Sequence, residues 1–379
     1  MVFQTNRKLL LLGIIFIALC GNLFSQSGSA SEPAVKPIIY TIFFNIIQEP
    51  TDIPLIGFIN LGIGNHARPQ VGMVNYNSGD FSGFFQGGFI NTIGGNLSGM
   101  QLGFINSTLA SVNGPQIGFI NTAGGNLSGM QLGFINSTVG FVLGPQIGFI
   151  NTTLDTINGA QIGFINTVGG NLSGMQLGFI NATPGSVDGS QVGVINTSGK
   201  ALKGFQFGLI NYVDSIESGV PIGLISIIRK GGYYALEYSF TEFHHFNVGF
   251  KVGLKQFYTT IFVSYNSATE SNLKHLATGA GFGSLIPITE RLFFNPELQS
   301  TITQGKYTHQ LISAVPYFGI NLTKRLSITA APSVTLLIPD GRELKDEALP
   351  RPLFGSSTAF NSEKLHVIAA ARVALRVQL

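Results

Sequence analysis

The chain has 379 residues, of which only 10% are charged, with 49 glycines, 31 phenylalanines and no tryptophan. That charge content is far below the ~25% usual for soluble globular domains, and a net charge of +3 spread along the sequence excludes a nucleic-acid-binding surface. No apolar run long enough for a membrane helix occurs beyond the N-terminus, so the composition points to β structure in or beside a membrane.

Residues 1–30 read as an export signal. Arg7 and Lys8 precede an apolar core from Leu9 to about Leu19, too short for a stable span, and Ser25 and Ala30 suit cleavage. Cys20, the only cysteine, stands where an acylated lipoprotein cysteine would stand, but the bulky Leu19 before it argues against lipidation. With the signal removed, the mature chain has no thiol for a disulfide or a metal. Residues 31–52 read as a cap or linker. "PIIYTIFFNII" (37–47), followed by the proline-containing "QEPTDIP", would block the first edge of the repeat that follows.

Residues 53–230 repeat with a period of fifteen. "GGNLSGMQLGFINST" at 94–108 recurs unchanged at 124–138 and, with Ala182 for serine, at 169–183. Glutamine marks the column Gln70, Gln86, Gln101, Gln116, Gln131 and onward to Gln206, with Leu55 and Pro221 at its two ends and one insertion near Gly83. Two places later stands glycine (Gly103, Gly118, Gly133), then usually Phe, then Ile or Val, then asparagine (Asn106, Asn121, Asn136). A second apolar column (Leu97, Val112, Leu127) precedes a second glycine column (Gly99, Gly114, Gly129).

A fifteen-residue unit cannot bury an apolar face alone, whereas stacked copies can. If each unit is one coil of a β-solenoid, every column becomes a ladder of identical residues about 4.8 Å apart, and the Gln and Asn side chains hydrogen-bond along the stack. Twelve coils predict a rod of roughly 55–60 Å. The rival arrangement is an antiparallel up-and-down barrel with one strand and one turn per unit. The units decide between the two. Met100 and Met130 alternate with Pro115 and Pro145 before the glutamine, but Ala160 then breaks the alternation. In an antiparallel barrel that slip would carry the same turn to the opposite membrane face, and in a solenoid it changes nothing. The solenoid is therefore expected, although Phe81 to Leu154 contains no charged residue or histidine.

From residue 231 to 379 charges return and apolar–polar alternation predicts strands at 232–241, 244–253, 257–265, 274–288, 291–304, 309–322, 325–338 and 365–379. Their length suits tilted membrane strands. The connections "LKQ", "TE" and "TK" are short, while "NSATESNL" and 339–364 are longer, which is the habit of outer-membrane barrels, although the first connection, "EF", is short as well and breaks the pattern. The expected architecture is thus all-β: a solenoid followed by an antiparallel barrel of about eight strands. Glu237, Lys251, Glu297, Arg372 and Arg376 are the candidates for a charge network in its lumen.

The unit G-x-Q-h-G-h-I-N, read in "GMQLGFIN", "GPQIGFIN" and "GSQVGVIN", resembles that of the leptospiral surface-repeat proteins over about residues 53–230. The resemblance implies a surface or outer-membrane setting and supplies no catalytic residue. The C-terminal strand "LHVIAAARVALRVQL" resembles the insertion strand of small outer-membrane barrels, but it ends in Leu379 where that group usually has an aromatic residue.

Chemistry-bearing motifs are weak. None of the six histidines has zinc-site spacing. "GAGFG" at 279–283 lies inside an alternating strand with no helix to follow, and "PDGRELKDE" (339–347) reads as a solvated loop. The expectation is a non-enzymatic outer-membrane or surface repeat protein with a structural or adhesive role and no cofactor. It would sit in outer-membrane lipid and offer a repetitive face to glycans, lipopolysaccharide or its own copies. The alternative is a porin-like transporter in which repeats and C-terminal strands close one larger barrel.

Overall fold

A computed structural model describes residues 39–47, 53–241, 243–265, 276–304, 309–338, 357–362 and 365–379. The expected export signal, Cys20 and the 339–347 loop lie outside these residues. Among the described residues all regular structure is β, and no helix is long and apolar enough to cross a membrane.

The repeat coils as a parallel β-solenoid. Each coil contributes a short strand at the glutamine, a four-residue strand carrying Ile-Asn, and a third strand at the second apolar column; for one coil these are Gln116–Ile117, Ile120–Ala123 and Leu127–Ser128. Each strand pairs in parallel with its counterpart in the next coil, fifteen residues away or sixteen across the insertion, so Gln116 lies on Gln131, Asn121 on Asn136 and Gln70 on Gln86. The rungs continue from Leu55 on Gln70 to Gln206 on Pro221. The insertion near Gly83 is absorbed at a corner, since His66 to Phe81 spans fifteen residues and Phe81 to Leu97 sixteen; the extra residue throws Phe84 outward.

The expected cap becomes part of the stack. Phe44–Ile47 lies parallel on Ile59–Gly62 and places Asn45 on Asn60, while Ile39 bridges back to Ile46. The apolar core is one continuous file along the axis. It joins the Leu97–Val112–Leu127 column to a second column in which Ile93, Ala123, Val168, Val213 and Ile228 are all buried. His66 is buried at the N-terminal end of the first column, tilted against Phe81. With no partner for charge there, burial holds its imidazole below the ordinary histidine range.

The repeat ends at Gly231, whose φ of 80° turns the chain into the second unit. Eight antiparallel strands follow: Tyr233–Phe240, Phe246–Gly253, Tyr258–Tyr265, Leu276–Gly283, Leu292–Gln304, Gln310–Asn321, Leu326–Ile338 and Leu365–Gln378. The first pairs with the last, Glu237 opposite Arg376, and closes the barrel. The repeat strands pair only with one another and the C-terminal strands form their own ring, so no single larger barrel exists among the described residues.

Two boundaries differ from the sequence reading. The fourth strand is interrupted at 284–285, where Leu285 N–H turns to the Lys255 carbonyl at 2.6 Å, and Ile286–Pro287 then resumes the same register on the fifth strand, Gly283 lying opposite Glu297 and Ile286 opposite Phe294. Ser357–Ser362, within the segment read as a loop, pairs antiparallel with the last strand.

Alternation sets the barrel's two faces. Outward positions are apolar, among them Leu236, Val248, Val263, Leu298, Ile328, Val373 and Leu375. Tyr238, Phe240, Phe246 and Tyr265 form an aromatic cluster toward the end where the 241–245 and 266–275 connections lie. At the opposite end are the tight turns 254–257 and 322–325, closed by backbone hydrogen bonds from Leu254 to Phe257 and from Leu322 to Leu326. The solenoid joins at this short-turn end. Leu254 packs against the end of the solenoid core, and Thr259 Oγ1 donates to the Gly223 carbonyl of the last coil at 2.6 Å. The barrel rim thus covers the edge on which another coil would otherwise have stacked.

Candidate functional site

Two polar constructions lie inside the molecule. The first is the pair of amide ladders in the rod. The six amides expected to form them stand where the repeat places them, Gln101, Gln116 and Gln131 in one file and Asn106, Asn121 and Asn136 in another, all fully buried, with the expected Gly103, Gly118 and Gly133 half-buried between the files. Each glutamine Nε2 donates to the glutamine Oε1 of the preceding coil at 2.6–3.0 Å, as Gln116 does to Gln101 and Gln131 to Gln116. Each asparagine Nδ2 donates the other way, to the Oδ1 of the following coil at 2.7–2.9 Å, as Asn106 does to Asn121 and Asn121 to Asn136.

Backbone carbonyls fix these opposed directions. Asn106 Nδ2 also donates to the Ile117 carbonyl at 2.8 Å, and Gln116 Nε2 to the Thr122 carbonyl at 3.0 Å. The asparagine file is terminated at both ends: Asn45 Oδ1 accepts from Thr41 N–H, and Asn211 Nδ2 donates to Ser226 Oγ at 3.3 Å. The glutamine file meets Leu55 and Pro221 instead, and its terminal atoms, Gln70 Nε2 and Gln206 Oε1, are buried without a partner.

Gly103, Gly118 and Gly133 permit the close approach of coils. A Cβ on Gly118 would lie 2.0 Å from the Gly103 carbonyl oxygen and 2.5 Å from Asn106 Nδ2. The second glycine column serves the corners, where Gly114 has a φ of 139°.

The phenylalanines stack outside the core. Seven rings from Phe89 to Phe179 lie 4.9–5.0 Å apart and within 8° of parallel, each partly exposed. Their spacing is that of the β-ladder itself. The few charges sit elsewhere on the coil. Asp214, for instance, pairs with Arg229 and with Lys230 at 3.1 Å, and these cations hold its carboxyl below the usual carboxylate range.

The second construction fills the barrel. All five expected lumen charges point inward and are buried. Lys251 Nζ lies 2.5 Å from Glu297 Oε1 and 3.1 Å from Glu237 Oε1. Arg376 donates through Nε and Nη2 to Glu237 Oε2 at 2.8 and 2.6 Å, and through Nη2 to Asn295 Oδ1 at 2.7 Å. Arg372 joins through Gln299 Oε1 at 2.9 Å and Ser313 Oγ at 2.8 Å, while Gln299 Nε2 donates to Glu297 Oε2. Tyr258 hydroxyl donates to Glu297 Oε1 at 2.5 Å.

Sequence reading overlooked Tyr258, Asn295 and Gln299. Asn295 and Gln299 share the parity of Glu297, a signal present in the sequence. Tyr258 declares itself only through Gly253 and Gly283, the glycines paired beside it, which leave space for its ring.

Removing charges from water is costly unless each finds a partner, and this network supplies one to each acid and base. Phe243, Leu311, Leu337 and Ile368 close the end away from the solenoid, and Tyr233, Ala235, Tyr258 and Leu285 cluster near the other. Between them a cavity of about 20 Å³, bordered by Glu237, Gln299 and Arg372, remains. That is about the size needed for one water molecule. Among the described residues no group of three or more His, Cys, Asp or Glu is placed to hold a metal. His244 is buried at the 241–245 turn, where its main-chain N–H donates to the Thr241 hydroxyl at 3.2 Å and its carbonyl accepts from Thr241 N–H at 3.1 Å.

No family model, no curated protein and no solved structure matches the chain.

Proposed function

We propose that this is an outer-membrane structural protein in which the barrel is an anchor and the solenoid a rigid platform fixed to its rim. The observation that carries the reading is the barrel itself: eight closed strands whose outward residues are largely apolar while the inward ones include a network of buried, paired charges. A closed sheet is one of the two ways a chain can satisfy its backbone in hydrocarbon. An apolar outer band with aromatic flanks is the pattern of such barrels in the outer membrane. The filled lumen favours anchorage over transport. Short turns on the solenoid side favour a rod on the periplasmic face, since outer-membrane barrels keep their short turns there.

Fractionation tests the anchor. Expressed with its leader, the protein is expected to stay with outer membranes through salt and urea washes and to run as a heat-modifiable band. Recovery in the soluble periplasm would overturn the reading. Planar bilayers test anchorage against transport: the purified protein should give a silent baseline, and steady single-channel steps would refute the filled lumen. Protease added to intact cells separates a periplasmic platform, which survives, from a surface adhesin, which is cut.

A further inference from the structure

The rod is amphipathic around its circumference, and its apolar side runs into the outer wall of the barrel. Counting from the glutamine column, the residues one and three places later are apolar and outward-facing in nearly every coil: Leu102 and Phe104, Leu132 and Phe134, Leu177 and Phe179. The side extends from Phe58 to Leu224. Between residues 55 and 230 every Asp, Glu, Lys and Arg falls from eight places after the glutamine column to two places before its next copy. None falls on the stretch that carries the apolar side. Leu143, exposed three places before its glutamine, stands in the column that carries Asp188 and Lys203 in later coils.

At the last coil the same two positions are Ile222 and Leu224, and they border an open groove of about 440 Å³ whose other bank is the barrel's outer wall at Phe282, Leu298 and Ile312. The Thr259–Gly223 hydrogen bond and the packing of Leu254 hold the two surfaces in this relation.

We infer that the apolar side of the rod rests on phospholipid acyl chains of the leaflet at the barrel's short-turn rim, so that the solenoid lies along the membrane. This rests on the barrel being membrane-embedded. Two observations select lipid as the occupant: the apolar side is continuous with the surface that the anchor reading gives to lipid, and it excludes charge along its whole length, the charges that flank the uncharged stretch Phe81–Leu154 all lying on the remainder of the coil. Segregation of that kind is what places an amphipathic element in an interface, and an exposed apolar surface of such extent requires a cover.

The absence of tryptophan makes a direct test possible. Full-length protein carrying a single tryptophan is reconstituted in phosphatidylethanolamine–phosphatidylglycerol vesicles, with and without bromine on the acyl chains. Val373→Trp, on the barrel wall, reports insertion; Phe134→Trp reports the apolar side of the rod; Leu143→Trp reports the column that Asp188 and Lys203 occupy in later coils. Leu132→Trp repeats the measurement if Phe134→Trp disturbs the ring stack. The expected result is strong quenching of Val373→Trp and of Phe134→Trp or Leu132→Trp, with Leu143→Trp unquenched. Quenching of Val373→Trp alone overturns the inference and leaves the anchor standing. Crosslinking would then show whether a second copy covers the rod. An unquenched Val373→Trp overturns the anchor reading itself.

Discussion

Replacing Asn121 with leucine tests the ladder at its most exacting point. Asn121 accepts from Asn106 Nδ2 and donates to Asn136 Oδ1 and to the Leu132 carbonyl, each at 2.9–3.0 Å. After the change, Asn106 Nδ2 still reaches the Ile117 carbonyl and Leu132 O still accepts from Gly118 N–H, so these are two lost bonds rather than two stranded groups. Asn136 Oδ1 is different, because it is left buried with no donor. At about 1 kcal/mol for each lost bond and about 2 for the stranded acceptor, the single substitution costs roughly 4 kcal/mol.

Asn136→Leu has the same balance, stranding Asn151 Oδ1. The double variant strands only Asn151 Oδ1 and loses four further bonds, of which the one between Asn121 and Asn136 disappears with both its partners and is close to neutral, so the cost is roughly 5 kcal/mol rather than the roughly 8 that independent sites would give. Hydrogen exchange of the full-length protein, followed by mass spectrometry on peptides from 116–150, reads the difference. Each single should raise exchange in the flanking coils by roughly a thousandfold, and the second substitution should add about one further factor of ten or less. Additive costs would mean that the asparagines do not act as one chain of hydrogen bonds, and the reasoning would fail.

Four more outcomes follow from the same structure. Gly118→Ala, whose methyl would collide with the neighbouring coil, should cost more in thermal stability than Gly64→Ala, where φ is 100° but nothing lies within 4 Å; about 1–2 kcal/mol is expected for the latter, and equal losses would contradict the close approach. Deleting residues 116–130 should leave a folded protein one rung shorter, since Pro115 then leads into Gln131 in the same register; failure to recover native circular dichroism and protease resistance would argue against equivalent coils.

In the barrel, Lys251→Met removes the cation shared by two buried carboxylates, leaving Arg376 between them, and should lower stability by about 3–5 kcal/mol, with partial recovery on adding Glu297→Gln; the heat-modifiable gel shift reports both. The fourth outcome concerns pH. The folded imidazole of His66 is held below its unfolded value near 6.5, so the unfolded chain takes up the proton first as pH falls through that value, and the N-terminal coils should loosen between pH 7 and 5. His66→Phe should flatten that profile in pH-resolved hydrogen exchange, and an unchanged profile would show that another group is responsible.

The solenoid was legible because a ladder demands the same residue at each rung. The repetition of Gln116, Gly118 and Asn121 fifteen residues on is the structure written in one dimension. The barrel was legible because the parity that puts Arg372 and Arg376 on one face and Val373 and Leu375 on the other survives intact in the folded strands. Three things were not legible. The opposed sense of the two amide ladders depends on which backbone carbonyl each side chain meets, here Ile117 for Asn106 and Thr122 for Gln116, and no residue identity encodes that. The placement of the phenylalanine column outside the core follows from how the chain bends at Gly118, whereas an Ile-Phe pair in a sequence looks equally suited to an interior. The seating of Leu254 and Thr259 against the last coil, the latter by a hydrogen bond across 36 residues, leaves no periodic trace.

The opposed ladders bear on how long such a molecule can become. A peptide-like amide carries a dipole of about 3.5 D, and in a helix such dipoles align until each end bears a partial charge. Here one file of amides is oriented toward the beginning of the chain and the other toward its finish, so their moments oppose each other rung by rung. Growth by one unit adds almost no net moment and builds up no terminal field. Electrostatics therefore sets no ceiling on copy number, and duplication or loss of whole units can adjust reach while leaving every internal contact as it was.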